Sequence, residues 1–516
     1  MPVEPKGTFH PTKPPCAITG LNHNHLSADM PNVSPSKWNA AMSQTEYDLV
    51  VIGSGPAGQK AALNAAKHGK SVAVVERTDS VGGVCIHTGT IPSKAVREAV
   101  LHLTGVRERS VYGSGYAVKH DIHMCDLLYR SEYVVRTEVD IIRSQMQRNN
   151  ITMLFGTASF VDPNTLRITR GEQATNVRGK NILVAVGTVP ARPKEVPFTP
   201  GKVIDSNDIL QLSELPRSMI IVGGGVIGTE YACMLAVVGV RVTLIESRPR
   251  LLEFVDDELA ENLQFRLRDM GMRLRLGESV ASIEVVDNHV QATLASSKKV
   301  WADSLMYCIG RQGATDALNL SAAGLTADNR GRLKVNEFFQ TAVPHIYAAG
   351  DVIGFPALAS TSMEQGRLAS CHMFHQIANS TSTLFPYGIY TIPEISMVGQ
   401  SEQQLTQQNI PYEVGLARYR EIARGQLISD PNGLLKLLFH AESHRLLGVH
   451  AIGTGATELV HIGQTVMAAG MSIDYFVDTV FNYPTLAECY KVAALDGLNR
   501  LRSIQSPQEL PIAAAA

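Results

Sequence analysis

Two glycine-rich turns constrain the fold of this chain more than any other feature. The first contains Gly53, Gly55 and Gly58; it follows an apolar run at 47–52 and precedes small residues and a second apolar run that ends at Glu76. A strand, a Gly-x-Gly-x-x-Gly turn, a helix, a strand and an acid in that order are typical of a dinucleotide-binding βαβ unit. The first glycine allows the tight turn, the second admits a pyrophosphate, and the third lets helix and strand pack closely.

The same unit occurs a second time. An apolar run at 219–222 leads into Gly223, Gly225 and Gly228, and the next apolar run ends at Glu246. Two such units predict two dinucleotide sites, hence two cofactors. One dinucleotide that stays bound while the other exchanges is the economical arrangement for hydride chemistry.

The composition excludes several classes of protein. The net charge is -2 and the sequence contains no run of Lys and Arg, so we expect no nucleic-acid partner. No run of about 18 apolar residues is present, so we expect no membrane span. The 7 cysteines are scattered, without the spacing of zinc ligands, and fit reduced thiols in the cytoplasm; we predict no metal site.

The remaining sequence indicates where domains begin and end. We read 181–188 as a buried strand ending in the Gly187 turn, 301–311 as one buried strand ending at Gly310, and 341–351 as a strand that brings Asp351 to a helix start. From about 385, period-2 apolar runs indicate an antiparallel sheet followed by helices. We predict an α/β chain with these regions: a disordered extension at 1–44, a first nucleotide-binding domain at 45–188 and 312–384, a second at 189–311, and an α+β domain at 385–516.

The order of these motifs resembles that of the flavin disulfide reductases, such as lipoamide dehydrogenase and glutathione reductase. The resemblance covers about residues 45–505. It implies FAD in the first Rossmann-like domain, NAD(P) in the second, and a C-terminal domain that forms a homodimer, with larger homo-oligomers plausible. The residues expected to contact the cofactors on this basis are Gly53, Gly55, Pro56, Ala57, Gly58, Glu76, Arg77, Gly83, Cys85, Thr90, Lys94, Gly187, Gly223, Gly225, Gly228, Glu246, Arg248, Arg250, Gly310, Asp351 and Tyr483.

Two departures from the family pattern bear on function. The family has a second cysteine five positions after the first, but Thr90 stands there after Cys85; the family's acid–base histidine is replaced by Tyr483. A threonine hydroxyl has no accessible redox state, and a tyrosine with a reference pKa of about 10 is a poor base near neutral pH. The chain then resembles the members of the family that transfer hydride from NADPH to NAD, by a ping-pong mechanism through flavin N5.

The resemblance also implies two catalytic residues. Lys94 would put a positive charge near flavin N5, and Glu230 would pair with Lys94 near the nicotinamide. Using both NADPH and NAD calls for a compromise at the adenine ribose: Glu246 would bind the 2′-hydroxyl, while Arg248 and Arg250 either hold the 2′-phosphate or are only surface charges.

Alternatives remain open at this point. The chain could pass electrons from NAD(P)H to a quinone, a metal ion or oxygen; it could retain lipoamide reduction, which Thr90 disfavours; or it could be a non-catalytic flavoprotein scaffold. Cys85 is either a residual redox thiol or a packing residue beside the flavin.

Overall fold

The computed structural model describes residues 45–378 and 384–505, and the extension predicted at 1–44 lies outside this range. Within the described residues, no helix is both long enough and apolar enough to cross a membrane. The mixed α/β class predicted from the sequence is confirmed.

The first nucleotide-binding domain is built on a seven-stranded sheet. Its parallel part pairs Thr152–Phe155, Val72–Glu76, Glu46–Ile52, Gln173–Val184 and Ile346–Ala348. The antiparallel strands Thr157–Asp162 and Thr165–Arg170 extend one edge. Continuous apolar runs such as 49–52 are buried on both faces of the sheet, and on one face Val50 and Ile52 share a core with Phe160 and Leu166 of the antiparallel strands. The helices of this region are Pro56–Lys67, Gly83–His87, Thr90–Thr104, Arg109–Tyr112, Met124–Arg148 and Ala359–Met373.

Two helices of this domain pack unusually closely. A Cβ atom on Gly366 would lie 2.0 Å from the carbonyl oxygen of Ala57, so the helix Ala359–Met373 approaches the helix Pro56–Lys67 at a glycine. The segment after Asp351 is thereby held beside the first glycine turn, although nearly 300 residues of sequence separate them.

The second nucleotide-binding domain contains a five-stranded parallel sheet and a three-stranded antiparallel sheet. The parallel strands are, in order, Arg273–Leu276, Arg241–Glu246, Ser218–Val222, Ser304–Tyr307 and Val203–Ile204. The helices Val226–Val237 and Asp257–Asp269 belong to this domain, and the antiparallel strands are Val280–Val286, His289–Leu294 and Lys299–Ala302.

The single strand predicted for 301–311 is wrong. The chain forms two strands that belong to different sheets, Lys299–Ala302 and Ser304–Tyr307, and changes sheet at Asp303. Asp303 accepts hydrogen bonds from the main chain and hydroxyl of Ser218, 2.8 and 2.9 Å away, which fixes the change of direction. Trp301 is correspondingly exposed.

A short ribbon links the two nucleotide-binding domains. Thr188–Pro190 pairs in antiparallel fashion with Arg311–Gly313. The segment by which the chain enters the second domain therefore lies beside the segment by which it leaves. The domain boundaries that we predicted at 188 and 311 fall within this ribbon.

The C-terminal region forms the predicted antiparallel sheet, in the order Tyr387–Ile389, Ile395–Gly399, Leu446–Ile452, Leu434–His440 and Tyr412–Arg418. The expected alternation of buried and exposed residues is wrong, because Leu434–Phe439 is buried on both faces. The helix Glu488–Gln505 covers the sheet closely enough that a Cβ atom on Gly415 would lie 2.0 Å from the carbonyl oxygen of Ala493. The other helices are Glu402–Gln407, Ala423–Leu427, Ala456–Ala468 and Asp474–Asp478.

A buried ion cluster fastens the C-terminal region to the second nucleotide-binding domain. The fully buried ammonium of Lys436 lies 2.8 Å from Asp256 and 3.0 Å from Glu258, and it also contacts Glu402. These three carboxylates are close enough together to hold a cation. The ammonium of Lys436 contacts all three, so the lysine itself serves as their positive partner.

Candidate active site

The first glycine turn forms a main-chain cradle. Gly53 has a φ of +106°, and a Cβ atom there would lie 2.4 Å from the carbonyl oxygen of Ala185. A Cβ atom on Gly58 would lie 2.0 Å from the carbonyl oxygen of Gly53, whereas one on Gly55 would meet nothing within 4 Å. The turn is therefore packed against protein on two sides and open at Gly55, just before the helix that begins at Pro56.

Glu76 is buried and already holds this turn in place. One carboxylate oxygen accepts hydrogen bonds from the main-chain N–H of Ser54 at 3.1 Å and its hydroxyl at 2.7 Å, and the other accepts from the N–H of Thr78 at 3.1 Å. The Ser54 hydroxyl in turn accepts from the N–H of Gly82 at 2.9 Å. Our sequence analysis did not single out Ser54, although its place inside the glycine motif was a signal.

A cavity of about 1130 Å³, counted with its open mouth, runs along this cradle. It is lined from both parts of the first domain. The lining includes many of the residues expected from the sequence: Gly53, Gly55, Pro56, Ala57, Glu76, Arg77, Gly83, Cys85, Thr90, Gly187 and Asp351. Thr157, Ala314, Ala317 and Leu318 also line it and were missed, because nothing near them in sequence forms a recognisable motif. Ser362 lines it as well, from the helix Ala359–Met373 that follows Asp351, where the sequence indicated a helix.

The character of this lining fits a dinucleotide. Glycine main chain faces the opening at the start of a helix, where unpaired N–H groups and the positive end of the helix dipole favour phosphate. The carboxylates of Glu76 and Asp351 are hydrogen-bond acceptors suited to sugar hydroxyls, and small residues such as Ala317 leave room between them. A side chain larger than hydrogen at Gly53 or Gly58 would require the cradle to move.

Asp351 is held by a polar network at the domain crossing. Its carboxylate oxygens accept hydrogen bonds from Ser362 at 3.3 Å and from Thr188 at 3.4 Å. Arg311 donates to the hydroxyl of Thr188 at 2.8 Å and to its carbonyl at 2.9 Å. Burial lowers the pKa of Arg311, and the charge of Asp351 opposes that shift.

Cys85 and Thr90 both line the cavity. Burial raises the pKa of the Cys85 thiol, and a hydrogen bond with the Thr90 side chain opposes the rise. No disulfide joins the cysteines within residues 45–378 and 384–505, and Cys85 is the one cysteine of that range in the cavity lining. The residue that shares the cavity with Cys85 at the position of a second cysteine is therefore Thr90.

Lys94 and Glu230 come from different domains and meet directly. Lys94 Nζ lies 2.7 Å from Glu230 Oε2, and the other oxygen of Glu230 accepts a hydrogen bond from the N–H of Tyr390 at 2.8 Å. The Tyr390 ring centroid lies 4.8 Å from Lys94 Nζ. Lys94 is the fifth residue of the helix Thr90–Thr104. Tyr390 was missed because nothing near it in sequence indicates the contact.

The second glycine turn repeats the geometry of the first. Gly223 has a φ of +112°, a Cβ atom on Gly228 would lie 2.0 Å from the carbonyl oxygen of Gly223, and one on Gly225 would meet nothing within 4 Å. Glu246 accepts a hydrogen bond from the N–H of Gly224 at 2.6 Å. The turn and the acid are thus in contact, as at the first site.

The arginines after Glu246 are both engaged within the chain. Arg248 donates to Glu246 through Nε at 3.0 Å and through Nη2 at 2.9 Å, while Arg250 pairs with Asp257. Burial opposes ionisation of Glu246, but the hydrogen bonds from Arg248 and Gly224 outweigh it and lower the pKa of Glu246 to about 2. The structure therefore places Arg248 on the acid itself, which neither of our two interpretations included.

Among the residues expected to contact the cofactors, Gly58, Lys94, Gly310 and Tyr483 lie outside the lining of this cavity. Tyr483 is 68% exposed, in the C-terminal region. Gly310, with a φ of +83°, immediately precedes the crossing ribbon. Within the described chain, Tyr483 therefore has no part in the cavity that contains Cys85.

Comparison with known proteins assigns the class. The family described as pyridine nucleotide-disulphide oxidoreductase matches residues 47–366, and the dimerisation domain of the same family matches residues 385–494. The chain belongs to this family and is a flavoprotein oxidoreductase.

The names of similar characterised proteins describe a narrower activity than the family does. The chain is 54% identical over 461 residues to the soluble pyridine nucleotide transhydrogenase of Mycobacterium tuberculosis, covering 89% of this chain and 98% of that protein. It is 44% identical to the soluble pyridine nucleotide transhydrogenase of Colwellia psychrerythraea, covering 88% and 99%. Among solved structures, an HOCl-induced flavoprotein disulfide reductase from Escherichia coli matches with a TM-score of 0.78 and 29% identity, over 87% of this chain and 99% of that one.

Proposed function

We propose that this protein transfers hydride from NADPH to NAD+, using FAD and no redox-active disulfide. The observation that carries the proposal is that Thr90, and no second cysteine, lines the cavity with Cys85 among the described residues. A disulfide reductase needs a second thiol there to accept electrons. Since threonine cannot accept them, a nicotinamide is the acceptor that remains within the family's chemistry. The names of the curated relatives support this reading.

The first cavity is the proposed FAD site. Glu76 and Asp351 would accept hydrogen bonds from sugar hydroxyls, and the main chain at Gly55 would face the pyrophosphate. Bound there, FAD supplies a ring that accepts a hydride from one nicotinamide and returns it to another, in ping-pong order.

Lys94 and Glu230 are the proposed catalytic residues. An ammonium near the flavin stabilises negative charge that develops when the ring is reduced. Glu230 is buried, and its ion pair at 2.7 Å keeps Lys94 in a fixed position. Because Glu230 belongs to the nicotinamide-binding domain and Lys94 to the FAD-binding domain, their contact also aligns the two nucleotides for transfer.

The acid–arginine pair at residues 246 and 248 suggests how one site accepts both nucleotides. With NAD, Glu246 would bind the ribose 2′-hydroxyl. With NADPH, Arg248 would turn from Glu246 to the 2′-phosphate; its bidentate contact with a carboxylate has the same geometry as a contact with phosphate. Arg250 forms an ion pair with Asp257, so we expect it to contribute less than Arg248 to binding of the 2′-phosphate.

We further propose that the protein acts in the cytoplasm as a homodimer or larger homo-oligomer. The match of residues 385–494 to a dimerisation domain supports the assembly. Exposed apolar side chains in that region, such as Val480 and Tyr483, offer contact surface for a second copy.

One experiment tests the function against its alternatives. The flavin is reduced anaerobically with NADPH, and thio-NAD+, a quinone or lipoamide is then added to separate samples. Rapid reoxidation by thio-NAD+ alone supports the proposal. Equal or faster reoxidation by the quinone or by lipoamide overturns it in favour of a different acceptor. A flavin that NADPH does not reduce overturns it in favour of a scaffold.

A further inference from the structure

Tyr390 contacts both partners of the ion pair between Lys94 and Glu230. Its main-chain N–H donates to Glu230 Oε1 at 2.8 Å, and its ring centroid lies 4.8 Å from Lys94 Nζ. Tyr390 directly follows the first strand of the C-terminal sheet, Tyr387–Ile389. A residue of the third domain therefore touches the point where the other two domains meet.

The segment 390–394 is itself fixed to the helix that carries Lys94. Arg97 lies three residues after Lys94, on the same face of that helix. Its Nε donates to the carbonyl of Thr391 at 3.1 Å, and its Nη2 lies 3.5 Å from Glu394 Oε2. Arg97 and Glu394 are both buried, so water does not loosen this attachment. The position of the Tyr390 ring follows from the position of the helix.

The contacts of the Lys94 ammonium show what the ring contributes. Its Nζ meets Glu230 at 2.7 Å, the Ser93 hydroxyl at 3.4 Å, and the face of Tyr390. An aromatic face attracts a cation through the negative potential of its ring, at partly exposed sites as well as buried ones. The side chain of Lys94 is 26% exposed, so without the ring it would have room to turn into water.

We propose that Tyr390 is a positioning residue for hydride transfer, whose ring and main-chain N–H hold Lys94 and Glu230 in register. The inference rests on the proposed function, because it takes Lys94 to face the flavin. The tyrosine hydroxyl is not the acting group, because it interacts with the side chain of Thr457, in the helix Ala456–Ala468. The ring face therefore does the positioning, and a phenylalanine would serve.

The direct test replaces Tyr390 by phenylalanine and by mono-, di- and trifluorinated phenylalanine. Fluorine withdraws electron density and so weakens the negative potential of the ring face. It changes the shape of the ring little, so the variants should fold alike. Acetylation of the Lys94 amine is measured by peptide mass spectrometry, in both the FAD-free and the FAD-loaded protein. Lys70 lies 5.2 Å from the Phe374 ring and gives an internal reference that the substitutions at 390 do not touch.

We expect acetylation of Lys94, relative to Lys70, to rise stepwise with fluorination, up to about fivefold, which corresponds to a loss of about 1 kcal/mol. The phenylalanine variant should match the wild type. A labelling rate that does not change along the series overturns the inference, and so does a phenylalanine variant that already shows the full increase, since the hydroxyl would then be the acting group.

A second readout uses the flavin itself. Tyr390→Leu should make reduction of the bound FAD up to about fivefold less favourable, which lowers its two-electron potential by about 20 mV. The matched control Phe374→Leu, which removes a ring from Lys70, should leave the potential unchanged. An unchanged potential in Tyr390→Leu overturns the inference. Neither readout requires NAD+ as acceptor, so a failure of the proposed function would be seen separately, in the reoxidation experiment.

Discussion

Lys94 Nζ lies 2.7 Å from Glu230 Oε2, and this contact joins the two nucleotide-binding domains at their shared face. The residues are 136 positions apart in sequence. Glu230 is buried, so its charge depends on the lysine and on the N–H of Tyr390 for compensation. The ion pair is thus both an electrostatic element of the site and a geometric link between the domains.

Removing the charge of Lys94 should slow hydride transfer without releasing FAD. In Lys94→Met we expect flavin reduction by NADPH to slow by roughly 100-fold, because removal of one preorganised charge-stabilising group has an effect of that size. Stopped-flow absorbance gives the rate, and flavin content per chain gives the loading. The control is Lys119→Met, which removes an ion pair with Asp126 on the surface. A Lys94→Met enzyme that reduces at the control rate would refute the assignment.

A cysteine introduced at position 90 should form a disulfide with Cys85 or interact with the flavin. Since Thr90 lines the cavity beside Cys85, Thr90→Cys should give either a disulfide with Cys85 or a long-wavelength thiolate-to-flavin absorption band after mild reduction. Thr88→Cys is the matched control, because Thr88 does not line the cavity. If the Thr90→Cys spectrum and thiol count equal those of the control, residue 90 is not against the flavin.

The pair formed by Glu246 and Arg248 should determine the choice between nucleotides. Arg248→Ala removes the guanidinium that we expect to bind the 2′-phosphate, so the KM for NADPH should rise about tenfold or more while that for NADH changes little. Glu246→Gln should shift the preference toward NADPH. Rates of flavin reduction by the two nucleotides give the comparison, with Arg250→Ala as the control. Equal losses for NADPH and NADH in Arg248→Ala would mean that the arginine has only a structural part.

The buried lysine at 436 should matter for stability and not for chemistry. Lys436→Met leaves Asp256 buried without its ammonium, and removal of one partner of such a cluster costs about 3–5 kcal/mol. Thermal unfolding at neutral pH should therefore show a clear fall in Tm at unchanged flavin reduction rate per folded site. A Tm equal to that of the wild type would contradict this account of the domain contact.

The same cluster predicts a pH dependence. Burial opposes ionisation of Asp256, but the charge of His450 and the contacts of Lys436 outweigh it and lower its pKa below 3.8. A depressed carboxyl pKa gives stability that is present above the unfolded value and lost as pH falls through the folded one. The difference in Tm between wild type and Lys436→Met should therefore shrink once the pH falls below about 4.

Much of the fold was predictable because its signals are local. Gly58 and Gly228 are required by close main-chain contacts with Gly53 and Gly223 of the same βαβ unit, and the sequence displays that unit directly. The replacement of a cysteine by Thr90 could also be read without coordinates. By contrast, the strand predicted at 301–311 failed because a change of sheet at Asp303 depends on Ser218, which is 85 residues away.

The parts of the site that could not be predicted are contacts that depend on tertiary packing or on the choice of a side-chain rotamer. The ring of Tyr390 on Lys94 is set by how the C-terminal domain packs on the other two. The bidentate contact of Arg248 with Glu246 depends on which rotamer the arginine adopts once the acid is buried. Composition and spacing do not report such choices.

The most direct measurement of the central claim separates the two halves of the reaction. Enzyme is reduced anaerobically with NADPH, NADP+ is removed by gel filtration, and thio-NAD+ alone is added. The account predicts about one thio-NADH per flavin with full return of the oxidised flavin spectrum, because the hydride leaves through the site by which it entered. A flavin that stays reduced until a thiol, a quinone or oxygen is added would contradict it.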